Sequence, residues 1–151
     1  MSNARQDFIR ARVSEAEVAE LREQAKRITF SDFSKANLAR CEAPNGFNHP
    51  LHSWSLSDWH LATAGELGEA ANVMKKLNRY RDGIRGNKET EDELHTKLRR
   101  ELGDTLVYLD LMAQRAGIDL FAAALEVFDL KSEEIGYPVQ LRSATREASN
   151  G

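Results

Sequence analysis

The sequence predicts an all-α protein, a bundle of four to five helices. Three observations carry this. Apolar residues recur at three- and four-residue spacing over long stretches, helix start and stop signals bracket those stretches, and no segment alternates with period two over a useful length. The three prolines, Pro44, Pro50 and Pro138, fall outside the long periodic segments. Helices joined by short loops bury their apolar stripes against one another, which is a bundle.

Taken in order, Ser14 with Glu17 reads as a capping box that opens a helix over about residues 15–28. A second, short helix follows over about residues 32–40. Residues 41–53 hold Pro44, Pro50 and Asn45-Gly46, so they form a loop. Ser55 or Ser57 caps a long helix that reaches about Arg81 and stops at Asp82-Gly83. After a polar linker over residues 84–89, Thr90 with Glu93 forms another capping box, and a helix runs to Ala116 with Gly117 as its stop. Asp119 caps a last helix ending near Ile135, before Gly136-Tyr137-Pro138. Residues 14–141 are expected to form one helical domain, with residues 1–13 and 142–151 as flexible ends.

A chain of 151 residues is long enough for one domain with a core and short for two. With 41% hydrophobic and 30% charged residues, it reads as globular, not disordered. A net charge of −3 provides no global basic field, so a large nucleic-acid interface is disfavoured. Cys41 has no second cysteine to pair with, which fits a reducing compartment. The first 13 residues carry no signal-peptide pattern, and no apolar stretch reaches membrane-spanning length, so a cytoplasmic protein without membrane contact is expected.

The chemistry lies in two acid pairs with the same spacing, Glu66-Leu67-Gly68-Glu69 and Glu101-Leu102-Gly103-Asp104. Spacing i, i+3 places both acids of a pair on one side of a helix. On the first helix the apolar stripe is Trp59, Ala70, Val73 and Leu77, with Glu66 in its middle and Glu69 at its edge. On the second the stripe is Leu98, Leu102, Thr105, Leu109 and Met112, with Glu101 inside it and Asp104 beside Tyr108 and Leu111. All four acids are therefore expected to face inward. Burying a lone carboxylate costs several kcal/mol, against a domain stability of about 5–15 kcal/mol. A cation must sit among them. Oxygen ligands with no thiol and no histidine in either motif select Mg²⁺, with Mn²⁺ as a substitute.

The competing reading is structural: Lys75, Lys76, Arg79, Arg99 and Arg100 neutralise the same acids as ion pairs. A di-iron carboxylate bundle fits poorly, because Asp92 with His95 is the nearest approach to the paired Glu-x-x-His it requires. None of the four histidines is followed by Asp, so a His-Asp phosphohydrolase fits no better.

The stretches WSLSDWHLATAGELGEAANVMKKLNRYRD (residues 54–82) and RRELGDTLVYLDL (residues 99–111) resemble MazG-like all-α nucleoside triphosphate pyrophosphohydrolases. The resemblance runs over about residues 47–141 and includes Gly117-Ile118-Asp119-Leu120 and Gly136-Tyr137-Pro138. It is closest to short single-domain phage and bacterial members, and more distant to dCTP pyrophosphatases. It implies a helical bundle assembled as a homodimer or homotetramer, with the site between helices. The implied reaction cleaves a nucleoside triphosphate to monophosphate and pyrophosphate in nucleotide-pool control or housecleaning. The family's metal-binding acids map onto Glu66, Glu69, Glu101 and Asp104. Two departures stand out. The family often has Asn near Asp129, and some members carry a further glutamate where Ala62 and Thr63 stand, which points to fewer metal ions here.

On this reading Glu66 and Glu69 are the catalytic acids, Glu69 orienting or deprotonating the attacking water. Lys75, Lys76, Arg79 and Lys131 are candidates for the phosphate tail, with Lys76 best placed, and Asp129 joins the substrate-side set. Trp54 and Tyr108 are candidates to stack on the base, whereas Trp59, in the stripe, reads as core. Phe47, His49 and His52 lie in a loop able to close over substrate, and exposed loop histidines are the plainer reading. Val107 and Leu111, outside the main stripe, suggest burial on a second side, which an isologous dimer provides. The rival from another class is a non-catalytic helical module that senses nucleotides or binds a partner with the same bundle.

Overall fold

The computed structural model describes residues 14–141 and divides the chain into two compact units, Met1–Ala36 and Asn37–Gly151. Among the described residues there are five α-helices and no strand: α1 (Glu15–Ala25), α2 (Phe30–Glu42), α3 (Leu56–Arg81), α4 (Glu91–Arg115) and α5 (Leu120–Glu134), with a 3₁₀ turn at Leu51–Ser53. None of the helices is long and apolar enough to cross a membrane.

In the first unit the Ser14–Glu17 capping box opens α1 as expected. The helix closes at Ala25, short of residue 28, because a second box intervenes. Thr29 and Asp32 satisfy each other, the Asp32 N–H donating to Thr29 Oγ1 at 3.1 Å and the Thr29 hydroxyl to the Asp32 carboxylate at 2.7 Å. That start signal sets α2 at Phe30, two residues ahead of the expected start.

The second unit is built on α3 and α4. Ser55, not Ser57, is the α3 cap, and Asp58 completes the box. Asp82 and Gly83 end the helix, Gly83 taking φ +67, the left-handed conformation that favours glycine. At 26 and 25 residues the two helices are each about 38 Å long. They run antiparallel: the Trp59 ring lies 6.3 Å from Tyr108, while at the far end Lys76 Nζ lies 2.7 Å from Glu89.

Below the start of α3, Cys41, Leu51, Trp59 and Leu111 form the buried core, with Leu38, Trp54, Tyr108 and Met112 packed against it. The Trp59 indole N–H donates to the Leu51 carbonyl at 3.0 Å, so the ring is buried with its polar atom satisfied. The loop over residues 43–50 folds back tightly onto α2, and a Cβ on Gly46 would stand 2.1 Å from the Arg40 carbonyl oxygen. A second contact ties α2 to α4. Asn37 Nδ2 donates to Asp110 Oδ2 and to the Val107 carbonyl, both at 2.9 Å, and Asp110 is 1% exposed.

Two features of the expected core are corrected. Leu102, placed in the α4 stripe, is half exposed, and the buried side of α4 runs through Leu94, Glu101, Thr105, Tyr108 and Leu111 instead. Asp110 and Ala113 are buried as well, Asp110 accepting from Asn37 of α2, while Leu102 and Leu106 lie exposed. Leu111 is a core residue of this chain, and its burial calls for no second copy.

Candidate metal centre

Halfway along the α3–α4 pair, Glu66, Glu69 and Glu101 bring one carboxylate oxygen each to within 4.8 Å of one another. The cause is local. The i, i+3 spacing stacks Glu66 and Glu69 on adjacent turns of α3, and the antiparallel pairing sets Glu101 opposite them. Glu66 and Glu101 are half-buried, each with its Oε2 shut off from solvent, while Glu69 lies at the open edge and is exposed. Three of the four expected acids thus converge. Asp104 is half-buried one turn further along α4 and does not belong to the triad, although its charge and that of Glu66 both reach Tyr108. The Tyr108 hydroxyl is raised above its ordinary value chiefly by burial, then by Glu66 and Asp104.

Like charges this close repel by about 3–4 kcal/mol per pair at an effective dielectric near 20. A cation among the oxygens would relieve that repulsion. The chemistry of the triad fits a hard divalent ion. An octahedral Mg²⁺ with bonds of about 2.1 Å sets its ligand oxygens roughly 3–4.2 Å apart, and only small side-chain movements bring three oxygens from within 4.8 Å to that spacing.

About two turns along the helix pair from the triad, roughly 10 Å by the helical rise, stands an aromatic cluster. The Trp54 and Trp59 rings are 4.8 Å apart, His49 meets Trp54 edge-on at 4.6 Å and Trp59 at 5.5 Å, and Tyr108 closes the far side. Trp54 is half-buried, and Arg115 holds its backbone, donating from Nε to the Trp54 carbonyl at 3.0 Å. His49 had no more to recommend it in sequence than any loop histidine. Its place is set by the α2 end, where Cys41 Sγ donates to the His49 carbonyl at 3.1 Å, and no spacing rule signals such a contact. Phe47 is turned outward under Arg40, whose guanidinium lies 5.3 Å from the ring centre.

The basic candidates disperse. Lys76 is occupied by Glu89 at 2.7 Å, and Lys97 shares the same Glu89 oxygen at 2.9 Å. These two lysines hold the Glu89 carboxyl at about 2, well below the ordinary 4.5. Lys75 is exposed on α3. Arg79 faces a cleft at the α3–α4 turn, about 15 Å along the helix from Glu69. On α5, Lys131 pairs with Glu134 at the surface. Asp129, also on α5, is fully buried and accepts the Leu141 N–H at 2.7 Å, where it fastens the segment after the helix. Asp129 is not one of the acids that converge on α3 and α4.

No family model matches the chain, nor does any curated protein or solved structure.

Proposed function

We propose that this chain is a Mg²⁺-dependent nucleoside triphosphate pyrophosphohydrolase of the MazG-like kind, acting on (deoxy)nucleoside triphosphates. The observation that supports it most is the meeting of Glu66, Glu69 and Glu101 from two helices, with the Trp54–Trp59–His49–Tyr108 cluster about two turns along the same helix pair. A carboxylate cage and a stack of flat rings are the two things a nucleotide's ends require: a hard cation for the phosphates and an apolar face for the base.

Glu66 and Glu101, with buried oxygens, are the ligands that hold the ion, and Asp104 is within a turn of joining them. A bound Mg²⁺ supplies charge neutralisation on the phosphate oxygens. Exposed Glu69 reaches solvent and is placed to orient a water and take its proton. The water oxygen forms a bond to the α-phosphorus as the bond from that phosphorus to the α–β bridging oxygen breaks. Pyrophosphate departs with the bridging oxygen, and the nucleoside monophosphate remains. Trp54, fixed through Arg115, presents the ring for the base.

Assembly as a homodimer or homotetramer belongs to the same reading. Leu61 is 67% exposed, and Leu67, Met74, Leu102 and Leu106 are also exposed on the hairpin, more apolar surface than isolated residues account for. Sedimentation of the purified chain measures this directly. Pyrophosphate release from a panel of nucleotides, with Mg²⁺ and with EDTA, tests the activity. Binding of nucleotide without release would favour a sensing module, and no metal-dependent binding at all would end both readings.

A further inference from the structure

Residues 75–88 hold six basic residues and a single acid in a chain whose net charge is −3. The structure sorts those cations. Lys76 is bound to Glu89, and Arg81 closes on Asp82 at 2.7 Å. The guanidinium groups of Arg79 and Arg85 have no hydrogen-bond or ion-pair partner among the described residues. Both line a cleft of about 410 Å³ at the α3–α4 turn, together with Tyr80 and residues 83–87.

The floor of this cleft is fixed. Tyr80 donates its hydroxyl to the Glu89 carbonyl at 2.5 Å, and Asn87 Nδ2 donates to the Lys76 carbonyl at 2.8 Å, which ties the turn to the end of α3. Gly86 holds φ +119, a conformation L side chains rarely adopt. The backbone N–H groups of residues 85–88 have no acceptor among the described residues. The bond from its Nδ2 fixes which end of the Asn87 carboxamide is oxygen, and that Oδ1 is buried with no hydrogen-bond partner.

The geometry points to a second anion site at this turn, which takes a small phosphoanion of pyrophosphate size through Arg79, Arg85 and the backbone N–H groups of residues 85–88. Two planar guanidinium forks match phosphate oxygens, and free backbone donors add geometry to charge. The site is distinct from the acidic triad, because Arg79 lies ten positions beyond Glu69 on α3, about 15 Å along the axis. A polymer is disfavoured, since a single turn-sized cleft offers no track for a nucleic-acid backbone and Tyr80, its one ring, is held by the Glu89 carbonyl.

The test is titration of the full chain with inorganic pyrophosphate in EDTA, which keeps any metal-dependent binding at the triad silent. It is followed by calorimetry and by amide chemical shifts. Shifts are expected at residues 85–88. Affinity is expected to drop at least tenfold in R79A/R85A, to drop less in R79K/R85K, and to stay unchanged in E66Q/E101Q. Sulfate is expected to bind more weakly than pyrophosphate. Absence of binding to the wild-type chain, undiminished binding to R79A/R85A with normal helical circular dichroism, or shifts centred on the triad would overturn the site. A single-stranded oligonucleotide binding more tightly than pyrophosphate would overturn the small-anion assignment. None of these results depends on whether the chain hydrolyses nucleotides.

Discussion

The α3–α4 hairpin treats charge in opposite ways at its middle and at its turn. In the middle, three carboxylates from two helices crowd within 4.8 Å, two of them with oxygens shut off from water. At the turn, Lys76 and Lys97 share one carboxylate oxygen, and further cations spread into an open cleft. The turn is stable as it stands, because exposed charges are screened and carry little cost. The middle differs, because like charges drawn partly out of water repel one another more strongly. Crowding under burial, not the count of acids, is what supports the proposed metal centre.

The largest effect that separates the two regions is expected in the middle. E66Q and E101Q should each lower Mg²⁺-dependent pyrophosphate release by about 10²–10⁴-fold while helical circular dichroism is unchanged. Full activity in both would dissolve the distinction. Next in size is the response to the ion itself. Mg²⁺ at a hundred times its dissociation constant should stabilise the wild-type chain by about 2.7 kcal/mol, and E66Q/E101Q by far less, read as a shift in melting temperature.

Trp54→Ala probes the aromatic cluster. Loss of a stacking face worth about 1–3 kcal/mol should raise the KM for nucleotide roughly 5- to 150-fold with a smaller change in kcat. An unchanged KM would mean that the ring serves only the fold. The smallest effect belongs to the turn. Glu89 has its carboxyl lowered in the folded chain to about 2, so its stabilising contribution is complete above the ordinary value of 4.5 and is lost as pH falls from there towards 2. Acid titration of E89Q should lack that part of the wild-type slope, and an identical slope would show the lysine bridge to be inert.

Much of this was legible in the sequence, because the signals are local. Ser14 with Glu17 and Thr90 with Glu93 cap their helices as their three-residue spacing announces, and Gly83 and Gly117 stop the helices before them in left-handed backbone. The triad was legible for the same reason: spacing within a helix fixed Glu66 beside Glu69. What escaped depends on contacts between distant residues. Asn37 reaches Asp110 across 73 positions, a contact no spacing announces, and Leu102 lies outward against its place in the stripe. Asp129 is claimed by Leu141, and His49 by Trp54 and Trp59, through chain paths that no periodicity encodes.

The two indoles of the aromatic cluster are also the only two tryptophans in the chain. With ring centres 4.8 Å apart, they share excitation, and His49 lies against both as an edge-on neighbour. All tryptophan emission therefore originates at one end of the α3–α4 pair. The protein carries its own optical reporter: a nucleobase that stacks on Trp54, as proposed, would alter the colour, yield or near-ultraviolet dichroism of the whole molecule, with no label attached.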